Sequence, residues 1–176
     1  SAVDVHSGDV AWRVNESVRF TMAPAIAHET VVVCSGEPGS RVGHVYGIEL
    51  FTGRVLWQRD VDAPPAGQAI ASGNIAVLPV GAGRKASLAA FDLESGDLKW
   101  MIPDPGLGLG GDGLFVDQTL IVNAPSGRIA AINLADGSIA WSHKLSHPVA
   151  DDVPRRLEPI LRGGALFVPA SKVHVL

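Results

Sequence analysis

The sequence predicts an all-β protein built from about four repeats, each holding about four short antiparallel strands. The main observation is a ten-residue phrase ending in tryptophan that occurs four times, at spacings of 45, 43 and 41 residues. The chain also has 20 glycines and 12 prolines, which suits many short strands joined by turns. No stretch shows the sustained 3.6-residue periodicity of a helix.

The repeated phrase predicts a β-hairpin. Its pattern is apolar, Asp/Asn/Glu, apolar, any residue, Ser/Thr/Asp, Gly, any residue, apolar, any residue, Trp. Two apolar-rich segments flank a short loop whose glycine supplies the positive φ that the turn needs. We expect the acidic or amide side chain to hydrogen-bond the loop backbone, Glu49 less readily than Asp or Asn. The residues that define the phrase are Asp4, Gly8 and Trp12, then Thr52, Gly53 and Trp57, then Asp92, Gly96 and Trp100, and finally Asn133, Gly137 and Trp141.

Two further strands are expected before each hairpin. The runs nearest the hairpins are Thr30 to Cys34, Asn74 to Leu78, Gln118 to Val122 and Ala165 to Val168. The runs before those are Pro24 to Ile26, Gln68 to Ile70, Leu114 to Val116 and Pro159 to Leu161. Each period therefore holds about four strands in about 43 residues, which is the size of one β-propeller blade.

These residues resemble the PQQ-like (quinoprotein-type) repeat family of β-propellers, whose repeat reads Ala-x-Asp-x-x-Thr-Gly-x-x-x-Trp. The second copy departs from that pattern with Gly47 and Glu49. The resemblance implies that the tryptophans dock between neighbouring blades, and their large apolar rings with one N–H donor suit that task. We therefore expect Trp57, Trp100 and Trp141 to be buried at equivalent positions.

The repeat count leaves three arrangements open. We treat residues 1–176 as one propeller segment, in which the fourth blade is split between residues 142–176 and 1–12. The two termini would then close a four-bladed ring within the chain. The favoured alternative is a segment of a seven- or eight-bladed ring in a longer chain, as the resemblance implies. Two copies that together supply eight blades are the third arrangement.

Composition excludes several classes of protein. The net charge is −4 with both signs interspersed, so no nucleic-acid partner is indicated. No apolar run approaches the roughly 18 to 20 residues of a membrane span. One cysteine, Cys34, excludes an intrachain disulfide and a cysteine-based zinc site. It lies in an apolar run and is expected to be a small buried side chain.

No catalytic, metal-binding or cofactor-binding residue is assigned. The segment from Gly106 to Gly111 fits a dinucleotide-binding glycine pattern, but no helix pattern follows it, so we reject that reading. His143 and His147 lie in a strand end and a loop and do not indicate a metal site. Quinoprotein dehydrogenases of the resembled family hold PQQ and Ca²⁺ and commonly carry adjacent cysteines, which this chain lacks.

The inter-blade loops are the predicted place of function, since loops on a rigid scaffold carry recognition. The longest are residues 35–43, 103–113 and 146–157. The last is the candidate partner-binding loop and contains Asp151, Asp152, Arg155 and Arg156, which are able to hydrogen-bond a peptide or carboxylate.

The predicted function is a non-catalytic scaffold that binds protein or peptide partners. It is similar in kind to non-catalytic family members such as the propeller lipoprotein of the outer-membrane β-barrel assembly machinery. The alternatives are a fragment of a PQQ- and Ca²⁺-dependent quinoprotein dehydrogenase, or a ligand-sensing propeller domain of a bacterial signalling protein. The resemblance implies an extracytoplasmic location, periplasmic or at the cell surface, and leaves the cytoplasm open.

Overall fold

The structure is a computed structural model that describes residues 1–14, 19–20, 22–37, 39–81, 86–103, 113–123, 128–145, 159–168 and 174–175. Within these ranges every regular element is a β-strand. The strands are β1 (Ala2–Val3), β2 (Val10–Trp12), β3 (Ala25–Ala27), β4 (Thr30–Ser35), β5 (Gly43–Glu49), β6 (Val55–Val61), β7 (Ile70–Ser72), β8 (Ile75–Val80), β9 (Ser87–Asp92), β10 (Leu98–Pro103), β11 (Gly113–Val116), β12 (Thr119–Asn123), β13 (Arg128–Asn133), β14 (Ile139–Lys144), β15 (Ile160–Arg162), β16 (Ala165–Val168) and β17 (His174–Val175).

The strands pair in chain order. Three sheets have four strands each, in the orders β3-β4-β5-β6, β7-β8-β9-β10 and β11-β12-β13-β14. Strands β15, β16 and β17 form a three-stranded sheet, and β1 pairs with β2. The all-β prediction with four-stranded antiparallel repeats is confirmed. The two strands predicted before each hairpin begin and end within two residues of the observed ones, as β8 shows by ending at Val80 instead of Leu78.

Burial explains why the inner and outer strands of a sheet have different sequences. Every residue of β4 is buried, which suits its continuous run of Thr, Val and Cys. The outer strand β6 instead places Trp57 and Val61 inside and leaves the residues between them more exposed. This alternation follows from the two-residue period of a strand.

A bulge recurs at the same place in three hairpins. The register shifts between Ala2 and Val3 where β1 pairs with β2, and between Gly47 and Ile48 where β5 pairs with β6. The same shift separates Ala131 from Ile132 in the pairing of β13 with β14. A bulge adds twist and redirects the side chains that follow it. It lies just before the turn in each of these three copies of the repeated phrase.

The chain divides into two compact units, each with its own core. The first comprises Ser1–Gly81 and Ala89–Leu98, and its main core includes Val32, Val45 and Leu78. The second comprises Ala82–Leu88 and Lys99–Leu176, with a core that contains Ile129 and Val168. The described elements include no helix of the length and hydrophobicity that a membrane span requires.

Cys34 lies in the core of the first unit. Its side chain is 1% exposed, and burial raises the pKa of the thiol to about 12. A thiol with that pKa is almost fully protonated near neutral pH, and only the thiolate is a good nucleophile. Cys34 is therefore a small apolar packing residue, as its sequence context predicts.

Candidate functional site

The hairpin turns of the repeated phrase share one conformation. Gly8, Gly53, Gly96 and Gly137 have φ angles of 77°, 74°, 74° and 75°. In the first turn, Oδ1 of Asp4 accepts hydrogen bonds from the backbone N–H groups of His6 and Ser7, at 2.9 and 2.8 Å. The bond from Ser7 is the main reason why the pKa of Asp4 lies below its usual value. The acidic residue therefore holds the loop backbone.

Glu49 holds its turn as Asp4 holds the first one, although we expected a weaker role. Its carboxylate accepts the backbone N–H of Thr52 at 3.0 Å and also the Thr52 hydroxyl. The hydroxyl contact is the largest cause of the lowered pKa of Glu49. The threonine that follows thus allows the longer side chain to serve in this turn.

Three tryptophans dock on the next hairpin along the chain in the same way. Each indole N–H donates a hydrogen bond of 2.8 Å to a leucine carbonyl, from Trp12 to Leu50, from Trp57 to Leu93 and from Trp100 to Leu134. Trp57 and Trp100 are only 6% and 7% exposed. We call each of these contacts a tryptophan dock.

The turn glycine forms the floor of each dock. A Cβ at Gly53 would lie 2.6 Å from the ring of Trp12, and one at Gly137 would lie 2.9 Å from the ring of Trp100. Real Cβ atoms do not approach other atoms so closely, so these positions need glycine for close approach as well as for positive φ. The sequence predicts the second requirement and not the first.

Trp141 differs from the expectation, because its side chain is 43% exposed. The other rings rest on a turn that lies 34 to 38 residues further along the chain. The described part of the chain contains no such turn beyond Trp141, nor any hydrogen bond from its indole N–H. The ring instead lines an open cleft of about 460 Å³ with Ile121, His143, Leu161 and Leu166.

Two loops of the first unit pack against each other, and we call them the paired loops (described residues 35–37, 39–43 and 62–66). A Cβ at Gly36 would lie 2.9 Å from Pro64, and one at Gly43 would lie 2.7 Å from the carbonyl of Ala63. Both glycines therefore permit a contact that no other residue allows without displacement. The second loop is the partner that sequence reasoning missed, and its signal was the pair of prolines after β6.

Backbone hydrogen bonds fix the paired loops further. Ala66 N–H donates to the Pro79 carbonyl, and Gly81 N–H donates to the Pro64 carbonyl, both at 2.9 Å. In the first loop, the Ser40 hydroxyl donates to the Val42 carbonyl at 2.7 Å. The exposed side chains of the paired loops are both apolar and charged, and they include Glu37, Arg41, Val42 and Asp62.

Among the described residues, no group of three or more His, Cys, Asp or Glu side chains is placed to hold a metal ion. His44 Nδ1 lies 2.7 Å from Asp60 Oδ1 on neighbouring strands, with both side chains accessible to solvent. Exposed pairs of this kind contribute about 0 to 1 kcal/mol and do not by themselves indicate a reaction.

Several predicted positions lie outside the described residues. They include the whole candidate partner-binding loop with Asp151, Asp152, Arg155 and Arg156, the glycine segment from Gly106 to Gly111, and His147. Nothing further follows for them from the structure.

Four-stranded antiparallel sheets whose outer tryptophans dock on the following hairpin define a β-propeller of PQQ-like repeats. The family model described as Outer membrane protein assembly factor BamB matches residues 1–174, and the chain belongs to that family.

Three relatives illustrate the similarity. The chain is 24% identical over 185 residues to outer membrane protein assembly factor BamB of Yersinia pestis, covering 96% of the chain and 46% of the relative. It is 24% identical over 153 residues to the Bordetella pertussis protein of the same name, covering 82% of the chain and 36% of the relative. The crystal structure of BamB from Moraxella catarrhalis superimposes with a TM-score of 0.71 at 20% identity, covering 93% of the chain and 47% of that structure. The chain thus spans half or less of these relatives.

Proposed function

We propose that the chain is a non-catalytic β-propeller scaffold that binds protein or peptide partners during outer-membrane protein assembly, in an extracytoplasmic compartment. The family match supports a role in outer-membrane protein assembly, because the relatives are named as outer membrane protein assembly factors. The paired loops are the single observation that carries the binding role. They present exposed apolar and charged side chains on one surface, which is what binding a protein partner requires.

The paired loops suit a protein partner because close packing and backbone hydrogen bonds hold them against each other before a partner arrives. A loop that is ordered before binding loses less conformational entropy when the partner arrives. Arg41 and Val42 are exposed neighbours at the end of the first loop, and Val42 is 41% exposed. Arginine is enriched at protein interfaces relative to the rest of the protein surface, and an exposed aliphatic side chain beside it adds apolar area that a partner can bury.

A charge-reversed double variant tests the proposal. The probe is a purified outer-membrane protein assembly complex from which BamB has been removed, with binding measured by biolayer interferometry. We expect the chain to bind, and Arg41→Glu with Val42→Asp to weaken binding at least about tenfold, equivalent to about 1.4 kcal/mol. The matched control is Arg54→Glu with Phe51→Asp, two exposed residues on a hairpin turn. If the two double variants bind equally well, the paired loops are not the contact; if the unaltered chain does not bind, the proposed function fails.

We keep the loop with Asp151, Asp152, Arg155 and Arg156 as a second proposed contact region. Its charges of both signs are suited to hydrogen bonds with a peptide. Reversing Arg155 and Arg156 to Glu should weaken binding to the same complex. An unchanged dissociation constant would remove this loop from the proposed interface.

Binding of the cofactor PQQ would distinguish a quinoprotein dehydrogenase from a scaffold. The absorbance spectrum of PQQ with Ca²⁺ is recorded before and after the chain is added, and isothermal titration calorimetry is run in parallel. A scaffold leaves the spectrum and the heat unchanged. Stoichiometric PQQ binding would favour the enzyme over the scaffold.

A further inference from the structure

We propose that the hydrogen bond between His44 and Asp60 holds together the strand ends that carry the two paired loops, and so positions these loops for a partner. The inference rests on the binding role proposed for the loops, and it makes His44 and Asp60 positioning residues of that surface. Both residues lie in the first unit, His44 on β5 and Asp60 on β6. His44 Nδ1 lies 2.7 Å from Asp60 Oδ1, a distance at which a ring N–H donates to a carboxylate.

The pair lies where both loops join the sheet. The first loop ends at Gly43, directly before His44, and the second begins at Asp62, two residues after Asp60. In the pairing of β5 with β6, His44 is opposite Asp60, and the pair beyond it at this end is Gly43 with Val61. The ends of a ladder open more easily than its middle. A side-chain bond one position from this end therefore limits how far the two loops can separate.

The neighbouring strand β4 does not reinforce this end of the sheet through its side chain. Ser35, the last residue of β4, is opposite His44. It is 2% exposed, and its hydroxyl has no hydrogen-bond partner in the described part of the chain. Directly opposite residues on adjacent strands are close enough for their side chains to interact. Of the two neighbours that His44 faces in this way, Asp60 is therefore the one that bonds it.

Two backbone N–H groups report on the two loops separately. In the first loop, the Ser40 N–H donates to the Glu37 carbonyl at 2.9 Å. In the second loop, the Ala66 N–H donates to the Pro79 carbonyl, also at 2.9 Å. A hydrogen-bonded amide exchanges its proton with solvent only when the bond opens, so its exchange rate measures local opening.

Amide hydrogen exchange of the purified chain, followed residue by residue by NMR, tests the positioning role without a partner. Asp60→Ala removes the bond, and the Asp60 side chain is 67% exposed, so little packing is lost with it. The exchange rates of Ser40 and Ala66 should rise about two- to fivefold, the range expected for the loss of an exposed ion pair. The exchange rate of Val32, which is fully buried on β4, should not change, and this shows that the sheet remains folded.

Asp97→Ala is the matched control. The Asp97 side chain is 74% exposed and lies 3.2 Å from Arg59, and neither residue belongs to the paired loops. This variant should leave the exchange rates of Ser40 and Ala66 unchanged. The swapped double variant, His44→Asp with Asp60→His, places an acid and a histidine on the same two strands again. It should return both rates to within about twofold of the unaltered chain, which a general loss of stability would not do.

Binding to the assembly complex from which BamB has been removed connects the loops to function. His44→Ala and Asp60→Ala should each weaken binding about two- to fivefold, and the swapped double variant should restore it.

The two measurements separate this inference from the proposed function. If Ser40 and Ala66 exchange at the same rates in Asp60→Ala and in the unaltered chain, the inference is wrong even when the chain binds the complex. Unchanged affinity of both alanine variants for the complex would also reject it. If the exchange rates rise as expected and the unaltered chain does not bind the complex, the hold of the pair on the loops is supported and the proposed function fails.

Discussion

Gly47 on β5 lies directly opposite Trp57 on β6, and a Cβ at Gly47 would fall on the indole ring. Alanine stands at the same place in other copies of the phrase, as Ala90 and Ala131 show. The substitution Gly47→Ala would therefore restore the repeat pattern and still create a clash. We expect a loss of about 1 to 3 kcal/mol in the free energy of unfolding, as for other overpacked cores. Urea denaturation measures it.

The companion experiment is the same change in a Trp57→Phe background. A phenylalanine ring is smaller, so Gly47→Ala should cost less there. A Gly47→Ala chain as stable as the unaltered one would contradict the close approach of Gly47 and Trp57.

Trp100→Ala should lower the free energy of unfolding by about 3 to 5 kcal/mol, the usual range for a buried aromatic truncation. The side chain is 7% exposed and its N–H bonds the Leu134 carbonyl. The control is Phe51→Ala, because Phe51 is 67% exposed and should cost less than about 0.5 kcal/mol. Similar losses at the two positions would mean that the dock does not stabilise the fold.

Gly96→Ala tests the close approach of Gly96 to the Trp57 ring separately from the backbone strain of a positive φ. A Cβ at Gly96 would lie 2.5 Å from the ring of Trp57, whereas one at Gly73 would meet nothing within 4 Å. Both glycines have positive φ, so both alanine variants lose about 1 to 2 kcal/mol through the left-handed backbone. Gly96→Ala should lose at least about 1 kcal/mol more, from the clash. Equal midpoints of chemical denaturation would show that the ring does not rest on Gly96.

Glu49 should make stability depend on acid pH. Its pKa is lowered in the folded chain, chiefly by the Thr52 hydroxyl, from an ordinary value of 4.5. A lowered pKa stabilises the fold above the unfolded value, and that contribution is lost as the pH falls through the folded value. The stability difference between the unaltered chain and Glu49→Gln should therefore be largest above pH 4.5 and shrink below it. Thermal melts from pH 6 to pH 3 measure it, and a difference that stays constant over this range would exclude the linkage.

Sequence predicted the features that depend on neighbouring residues. The turn at Gly96 and the strand β16 follow from local chemistry, since positive φ and alternating burial are properties of a few adjacent residues. Whether Trp141 is buried or exposed could not be predicted from adjacent residues. Its own phrase matches the others, but burial depends on a turn more than thirty residues away.

The paired loops were beyond sequence reasoning for the same reason. Nothing near Gly36 indicates that Pro64 packs against it, because the contact joins loops that are separated by two strands. The expectation of a weaker role for Glu49 failed for another reason. The prediction considered the acidic side chain alone and omitted the Thr52 hydroxyl, which supplies a further donor.

The tryptophan docks connect each repeat only to the next one along the chain. Every dock joins residues only 34 to 38 positions apart, so none spans more than one repeat. The entropy lost in closing a loop depends on its length, and this loss is the same for each repeat that is added. A duplicated gene segment of one repeat would bring its own ring and its own receiving turn. Repeat number can therefore change during evolution without a new kind of contact.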